Sequence, residues 1–170
     1  MIIIQYVDEA FAGVGLSFLP SDPHEHAVAR FWAAYIDEKL FSSWMMVFRG
    51  KTDEEKAAGT KQSFAVVATL EGALQEYSKG KPFFGGDSVG YVDLALGGFV
   101  VWVHAIEKLY GLKLFDAAKT LLLAAWLERF GVLDVAKVVM PDVEKLVKLA
   151  KMRQAQAAAA VVAAAAAQGN

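Results

Sequence analysis

The sequence predicts an all-α protein, a helical bundle built around one hydrophobic core. Apolar residues recur at three- to four-residue spacing through most of the chain, and several stretches begin with helix-capping residues. No segment alternates apolar and polar residues between hairpin turns, so strands are not expected. With 170 residues, of which 56% are apolar, the chain is long enough to bury a sizeable core.

The first element is a helix over about residues 2–11, followed by a linker over 13–20 that is rich in Gly, Ser and Pro. This helix begins without Ser, Thr, Asp or Asn in the capping position, which a helix start usually carries. The missing cap suggests that the chain begins inside an element; the alternative is a frayed N-terminal helix.

Two long helices should follow and form an antiparallel hairpin. Asp22, Pro23 and Glu25 match a capping box with proline in the first turn, so a helix is predicted from Pro23 to about Arg49. A second capping box over 52–55 begins a helix that Gly80 should end.

A glycine-rich loop over 79–90 leads to a predicted helix over 91–110 that is apolar almost all round and should lie at the bundle centre. Further helices are predicted over 117–130, 133–139 and 143–152. The tail over 155–168 is mostly Ala, which favours helix but offers no amphipathic face, so we expect a frayed extension.

Charge and composition narrow the possible partners. The net charge of −2 favours neither nucleic acid nor an anionic membrane. The chain has no cysteine, which excludes disulfides, thiolate metal sites and a cysteine nucleophile. No apolar run reaches the length of a membrane span or resembles a signal peptide, so the default location is the cytosol.

The polar residues do not form a recognisable catalytic or metal-binding group. His24 and His26 are two residues apart at a helix start and face different directions, and His104 stands alone, so no metal or covalent cofactor is expected. The five serines between 42 and 88 have no acid–base partner at a spacing that would indicate catalysis, and none is expected to be a nucleophile.

An apolar stripe on the helix from Pro23 is the candidate ligand-binding feature. Phe41, Met45 and Phe48 recur at i, i+4 and i+7 and share one face. Methionine adapts to irregular ligands and aromatic rings stack on planar ones. From periodicity alone, ordinary core packing is the more frequent explanation of such a stripe. Trp44 and Met46 point elsewhere and should belong to the core or an interface.

Six motifs follow one another along the chain: residues 19–23 (LPSDP), 29–37 (ARFWAAYID), 82–96 (PFFGGDSVGYVDLAL), 124–126 (AAW), 139–142 (VMPD) and 151–153 (KMR). In this order and spacing they resemble the C-terminal domain of plant tau-class glutathione transferases. The resemblance covers about residues 2–153. Leu121 departs from it, since relatives often carry Pro there at a helix start.

The resemblance implies a division of the chain. Residues 1–12 would be the remnant of the last helix of an N-terminal thioredoxin-like domain, 13–22 the linker, 23–153 the helical C-terminal domain and 154–170 the Ala-rich tail. The thioredoxin-like domain, with the serine that activates the thiol, would be missing, so the isolated chain is expected to be inactive.

The resemblance also implies a function in detoxification or stress response. The family conjugates glutathione to electrophiles, and this chain would supply the hydrophobic co-substrate pocket from Phe41, Met45, Phe48 and Trp102. Many relatives carry Arg where Met45 stands, so specificity should be more apolar here. Glutathione would be a co-substrate only with the missing domain present, and the full-length form would be a homodimer. Other possibilities are a non-catalytic binder of hydrophobic small molecules and a helical protein-interaction module.

Gly90 and Asp93 are expected to serve folding. If Gly90 is the N-cap, the Asp93 carboxylate at the third helical position can accept the Gly90 N–H. Val89 and Leu94 would then form a hydrophobic staple. A catalytic role for Asp93 is the alternative, but capping already explains a carboxylate at the start of a buried helix.

Overall fold

The computed structural model describes the backbone of residues 1–168 and the side chains of residues 1–160, and it is helical as expected. Within these residues no strand forms, and the only extended pairing is an isolated antiparallel bridge between Phe83 and Gly86. The first helix, α1, is Ile2–Ala10 and contains no buried residue. No helix in the described part of the chain is long and apolar enough to cross a membrane.

The helix predicted over 23–49 is present but is not uniform. It consists of α2 (Pro23–Tyr35), a π-helical turn (Ile36–Leu40) and α3 (Phe41–Arg49). Asp22 caps α2 as expected, because its Oδ1 accepts the N–H groups of His24 and Glu25 at 3.0 and 2.9 Å. The π-helical turn is a departure from the sequence-based prediction.

Helix α4 (Asp53–Ser78) returns beside α3 and forms the second arm of the predicted hairpin. Thr52 Oγ1 accepts the Glu55 N–H, and Glu55 in turn accepts the Lys51 N–H. The two arms approach closely at Gly59, where an added Cβ would lie 2.7 Å from Met46 Cβ. The helix ends at Ser78, and the next two residues, Lys79 and Gly80, have positive φ angles of 52° and 81°.

The single helix predicted over 91–110 is two helices, α5 (Tyr91–Gly97) and α6 (Val100–Tyr110). The break follows the pair Gly97–Gly98, which lacks the side-chain constraints that favour a continuous helix. The Phe130 ring occupies the space beside Gly97, where a Cβ would lie 2.2 Å from Phe130 Cζ. The central position in the bundle is confirmed by the burial of Tyr91, Leu96 and Ile106.

Helix α7 is Leu121–Gly131, so the prediction of a start at residue 117 was wrong. Residues 116–120 form a turn instead, in which Asp116 accepts the Ala118 N–H and its carbonyl accepts the Thr120 N–H. Helices α8 (Asp134–Val139) and α9 (Val143–Gln168) follow. The Ala-rich tail continues α9 through Gln168, and its side chains over 151–160 are exposed; residues 169 and 170 lie outside the described part.

The core lies where α2, the π-helical turn and helices α3 to α7 meet. Its most deeply buried large side chains, each less than 2% exposed, come from the π-helical turn, α4, α5, α6 and α7: Ile36, Leu40, Leu70, Leu74, Tyr91, Leu96, Ile106, Leu123 and Trp126. Burying such side chains contributes about 1.5–3 kcal/mol each, so this cluster is the main source of stability.

Candidate functional site

The predicted stripe on α3 lies at the edge of the core, against which Phe48 packs. Phe41 is 48% exposed, while Met45 and Phe48 are half-buried. The neighbouring Trp44, by contrast, is 2% exposed and packs edge-on against Phe99 at 5.0 Å between ring centroids. The stripe therefore leaves apolar surface available that ordinary core packing would have covered.

Trp102 on α6 lies beside this stripe. The Phe48 and Trp102 rings are 5.8 Å apart at an interplanar angle of 74°, and the Phe48 and Tyr110 rings are 5.6 Å apart at 65°. Phe41 contacts Phe99 more loosely, at 6.5 Å. We call Phe41, Met45, Phe48 and Trp102 the aromatic strip. The edge-to-face contact between Phe48 and Trp102 orients both rings, and the exposed part of Phe41 adds aromatic surface on which a planar molecule can stack.

The aromatic strip is bordered by one polar pair. The Tyr110 hydroxyl accepts a hydrogen bond from the side-chain amide of Gln154 on α9. Burial raises the pKa of Tyr110 and the bond from Gln154 opposes that shift. The phenol therefore stays neutral at physiological pH.

A separate apolar cavity of about 570 Å³ lies where α5 and α6 meet α7 and α8. Trp102 is the one member of the aromatic strip among its lining residues. The remaining lining residues are Phe18, Val89, Leu94, Gly97, Gly98, Val101, Phe130, Leu133, Val135, Ala136, Val139, Met140 and Pro141. Because none of these carries a charge, the cavity fits uncharged apolar groups.

The Asp93 carboxylate is buried and accepts hydrogen bonds that hold the fold together. Its Oδ2 accepts the predicted bond from the Gly90 N–H at 2.9 Å and a second from Gly85, while its Oδ1 accepts the Phe84 N–H and the Trp126 indole N–H. Burial raises the pKa of Asp93, and the four hydrogen bonds act against that rise. Since Asp93 is 0% exposed, its carboxylate joins the 84–90 loop to the bundle and does not face a substrate.

The serine hydroxyls bond to protein groups rather than to an acid–base partner. Ser43 Oγ donates to the Leu40 carbonyl at 2.9 Å, and the buried Ser63 Oγ lies within hydrogen-bond distance of both Ser43 Oγ and the Gly59 carbonyl. Ser42 Oγ donates to carbonyls of the π-helical turn. None of these three hydroxyls hydrogen-bonds to a histidine or lysine side chain, the kind of partner that activates a serine nucleophile.

The histidines are separate in the structure. His26 Nδ1 lies 3.2 Å from the Pro20 carbonyl, and His104 is half-buried on α6. Among the described residues, no three His, Cys, Asp or Glu side chains come together as a metal site would require.

Sequence reasoning missed two carboxylates that organise the surroundings of the site. Glu71 on α4 accepts the N–H groups of Leu122 and Leu123 at 2.8 Å each and so caps α7 from another helix. Asp8 on α1 accepts the N–H groups of Phe18 and Leu19 in the linker. Of these two carboxylates, only Glu71 could have been noticed in the sequence, because it is a charged residue on the apolar side of α4.

Comparison with known proteins places the chain among glutathione transferases. Residues 53–133 match the family model described as the C-terminal domain of glutathione S-transferase. The chain is 54% identical over 152 residues to a probable glutathione S-transferase, GSTU6, of Oryza sativa subsp. japonica, an alignment that covers 86% of this chain and 64% of the rice protein.

Solved structures of glutathione transferases also resemble the chain. The tau-class glutathione S-transferase of mango, Mangifera indica, is 44% identical with a TM-score of 0.83, covering 89% of this chain and 68% of that one. Rice GST1, solved in complex with glutathione, is 30% identical with a TM-score of 0.77, covering 91% and 68%. The chain thus spans about two thirds of its curated relatives, 64% of the rice protein and 66% of glutathione S-transferase U17 of Arabidopsis thaliana.

Proposed function

The chain belongs to the tau class of glutathione transferases, and from that premise we propose that it supplies the hydrophobic co-substrate pocket for conjugation of glutathione to electrophiles. The observation that carries the proposal is the aromatic strip, in which Phe48 of α3 and Trp102 of α6 meet edge to face at 5.8 Å. Open aromatic faces next to a flexible methionine suit planar, apolar electrophiles.

The other half of the reaction is assigned to residues outside this chain. Conjugation needs the glutathione thiolate, whose pKa must be lowered by a hydrogen-bond donor or a positive potential. The serine hydroxyls described above are bonded to backbone carbonyls or to each other. The proposal therefore places thiol activation in a thioredoxin-like domain and reads residues 1–12 as the last helix of that domain.

The proposal extends to the setting of the activity. It places the protein in the cytosol, in detoxification or stress response, and as a homodimer when the thioredoxin-like domain is present. Glutathione enters as co-substrate and no metal takes part. These components rest on the family and on the resemblance of the motifs over residues 19–153.

Binding of a fluorescent apolar probe tests the pocket directly. Purified chain is titrated with N-phenyl-1-naphthylamine, and the wild type is compared with Phe48→Ala and Trp102→Ala. Loss of an aromatic wall should weaken binding at least about five-fold, since one aromatic contact contributes roughly 1 kcal/mol. Phe31→Ala is the matched control, because Phe31 is 59% exposed on α2 and does not belong to the strip. Equal affinity of Phe48→Ala and wild type would count against the pocket.

The same chain, mixed with glutathione and 1-chloro-2,4-dinitrobenzene, tests the division of labour. We expect no conjugation above the uncatalysed rate, because the thiol is not activated. Robust conjugation would show that this polypeptide holds a complete site.

The cavity beside α8 favours a second candidate, a non-catalytic binder of apolar small molecules. Its volume of about 570 Å³ lies in the range of ligand sites. Val139, which lines the cavity and is 78% exposed, separates the two candidates. Val139→Lys should abolish probe binding if the cavity is the site and leave it unchanged if the aromatic strip is.

A further inference from the structure

The π-helical turn Ile36–Leu40 stands immediately before the aromatic strip. In it the Phe41 N–H bonds to the Ile36 carbonyl five residues back, whereas an α-helix pairs residues four apart. Each residue of an α-helix turns the chain by about 100°, so the extra residue changes the direction of every side chain that follows. The direction in which Phe41, Met45 and Phe48 point therefore depends on this turn.

Hydroxyl groups of the next two residues support the turn. Ser42 Oγ donates to the Glu38 carbonyl and lies 3.2 Å from the Lys39 carbonyl, while Ser43 Oγ donates to the Leu40 carbonyl at 2.9 Å. A widened turn disturbs the regular backbone pairing, and side-chain hydroxyls can supply the carbonyls with donors. Two adjacent serines thus serve three successive carbonyls of the turn.

A third serine connects the turn to the other arm of the hairpin. Ser63 Oγ on α4 lies 3.0 Å from Ser43 Oγ, and the two residues are 1% and 0% exposed. Gly59, one helical turn earlier on α4, lets α3 approach closely enough for this contact. The rotation of α3 is therefore held against α4 by a buried hydroxyl pair.

We propose that the π-helical turn, held by Ser42, Ser43 and Ser63, is a positioning device that sets the direction of Phe41, Met45 and Phe48 and so brings the Phe48 ring against Trp102. This inference rests on the proposed function for the purpose of the strip, but the geometry it describes is measurable without any ligand. The three serines are positioning residues, since they act through the backbone and do not touch the proposed co-substrate.

The test compares a Ser42→Ala/Ser43→Ala double variant with wild type. One readout is hydrogen exchange of the amides over 41–44, and another is the NMR contact between the Phe48 and Trp102 rings. A further readout is the affinity for N-phenyl-1-naphthylamine. Thr69→Val is the matched control, because Thr69 Oγ1 donates to the Ala65 carbonyl within the regular part of α4. Ser42→Thr, added to Ser43→Ala, tests whether a restored hydroxyl rescues the effect.

We expect the double variant to exchange these amides about five-fold faster per lost hydrogen bond, to weaken the Phe48–Trp102 contact and to bind the probe less tightly. Ser42→Thr should recover part of each change, and Thr69→Val should alter none. An unchanged ring contact in a folded double variant would overturn the positioning role. Failure of wild type to bind the probe would remove the proposed pocket, while the exchange and ring-contact readouts would still decide the role of the serines.

Discussion

Asp93 and Trp126, 33 residues apart in the chain, meet in the core through a hydrogen bond of 2.7 Å from the indole N–H to Oδ1. Both side chains are fully buried. The bond links the start of α5 to the middle of α7, and the other three donors to Asp93 bring in the 84–90 loop. The Asp93 carboxylate thus links three segments that are separate in the sequence: the 84–90 loop, α5 and α7.

Substituting this carboxylate should be costly. Asp93→Asn replaces one acceptor oxygen by an N–H₂ group that faces existing donors, so we expect the free energy of unfolding in urea to fall by about 3 kcal/mol. Trp126→Phe removes the fourth donor. A double-mutant cycle should give a coupling energy of about 1 kcal/mol between the two positions. Additive effects of the two substitutions would show that the bond contributes little.

The cap that Glu71 provides for α7 gives a second prediction. Glu71→Ala leaves the N–H groups of Leu122 and Leu123 without their acceptor and should lower the free energy of unfolding by about 1.5 kcal/mol. Glu71→Gln keeps one acceptor and should lie between this variant and wild type. Glu76→Ala, at an exposed position of the same helix, should stay within about 0.5 kcal/mol. Equal values for Glu71→Ala and Glu76→Ala would refute the cap.

Two glycines of α4 should respond in opposite directions to the same substitution. A Cβ at Gly59 would lie 2.7 Å from Met46 Cβ and 2.9 Å from the Val47 N, so Gly59→Ala forces α3 and α4 apart and should cost about 1–3 kcal/mol. Gly72 has no neighbour within 4 Å, and Gly72→Ala should stabilise by about 0.5–1 kcal/mol through helix propensity. Thermal unfolding of the two variants measures both stability changes. The prediction is wrong if the two substitutions change stability in the same direction.

The attachment of α1 should depend on pH. Partial burial opposes ionisation of Asp8, but the N–H groups of Phe18 and Leu19 and the Ser17 hydroxyl outweigh it and lower its pKa. The unfolded chain therefore binds the proton more readily. The stabilisation is complete above the unfolded pKa of about 3.9 and is lost as the pH falls through the lower folded pKa.

Hydrogen exchange of the Phe18 and Leu19 amides measures this dependence. Protection in the wild type should drop below about pH 4 relative to the intrinsic exchange rate, and Asp8→Asn should show weaker protection with no such step. A step of the same size in Asp8→Asn would assign the dependence to another group.

Local signals predicted most of the helices. Caps at Asp22 and Thr52, and the glycine after Tyr110, are read from a few adjacent residues, and the structure contains helix ends at each. The break between α5 and α6 was missed because it combines a glycine pair with the Phe130 ring, which lies 33 residues beyond Gly97. The start of α7 was misplaced because its cap comes from Glu71 on another helix.

The site was predicted less completely than the fold. The spacing of Phe41, Met45 and Phe48 showed that they share a face, but not whether that face was core or surface. In the structure Phe41 is 48% exposed, whereas Met45 and Phe48 are half-buried. The cavity was missed because its walls come from α5, α6, α7 and α8, and its α8 valines do not form a periodic pattern with the rest.

Helix α1 has no buried residue. It is joined to the bundle by Ile4, which packs against the core, by Asp8, and by the Tyr91 hydroxyl, which donates to the Met1 carbonyl at 3.3 Å. A segment fastened by so few contacts opens at a much lower free energy than the core to which it is attached. A protease should therefore release the first dozen residues while the remaining helices stay folded. Their removal should change the melting temperature of the bundle very little.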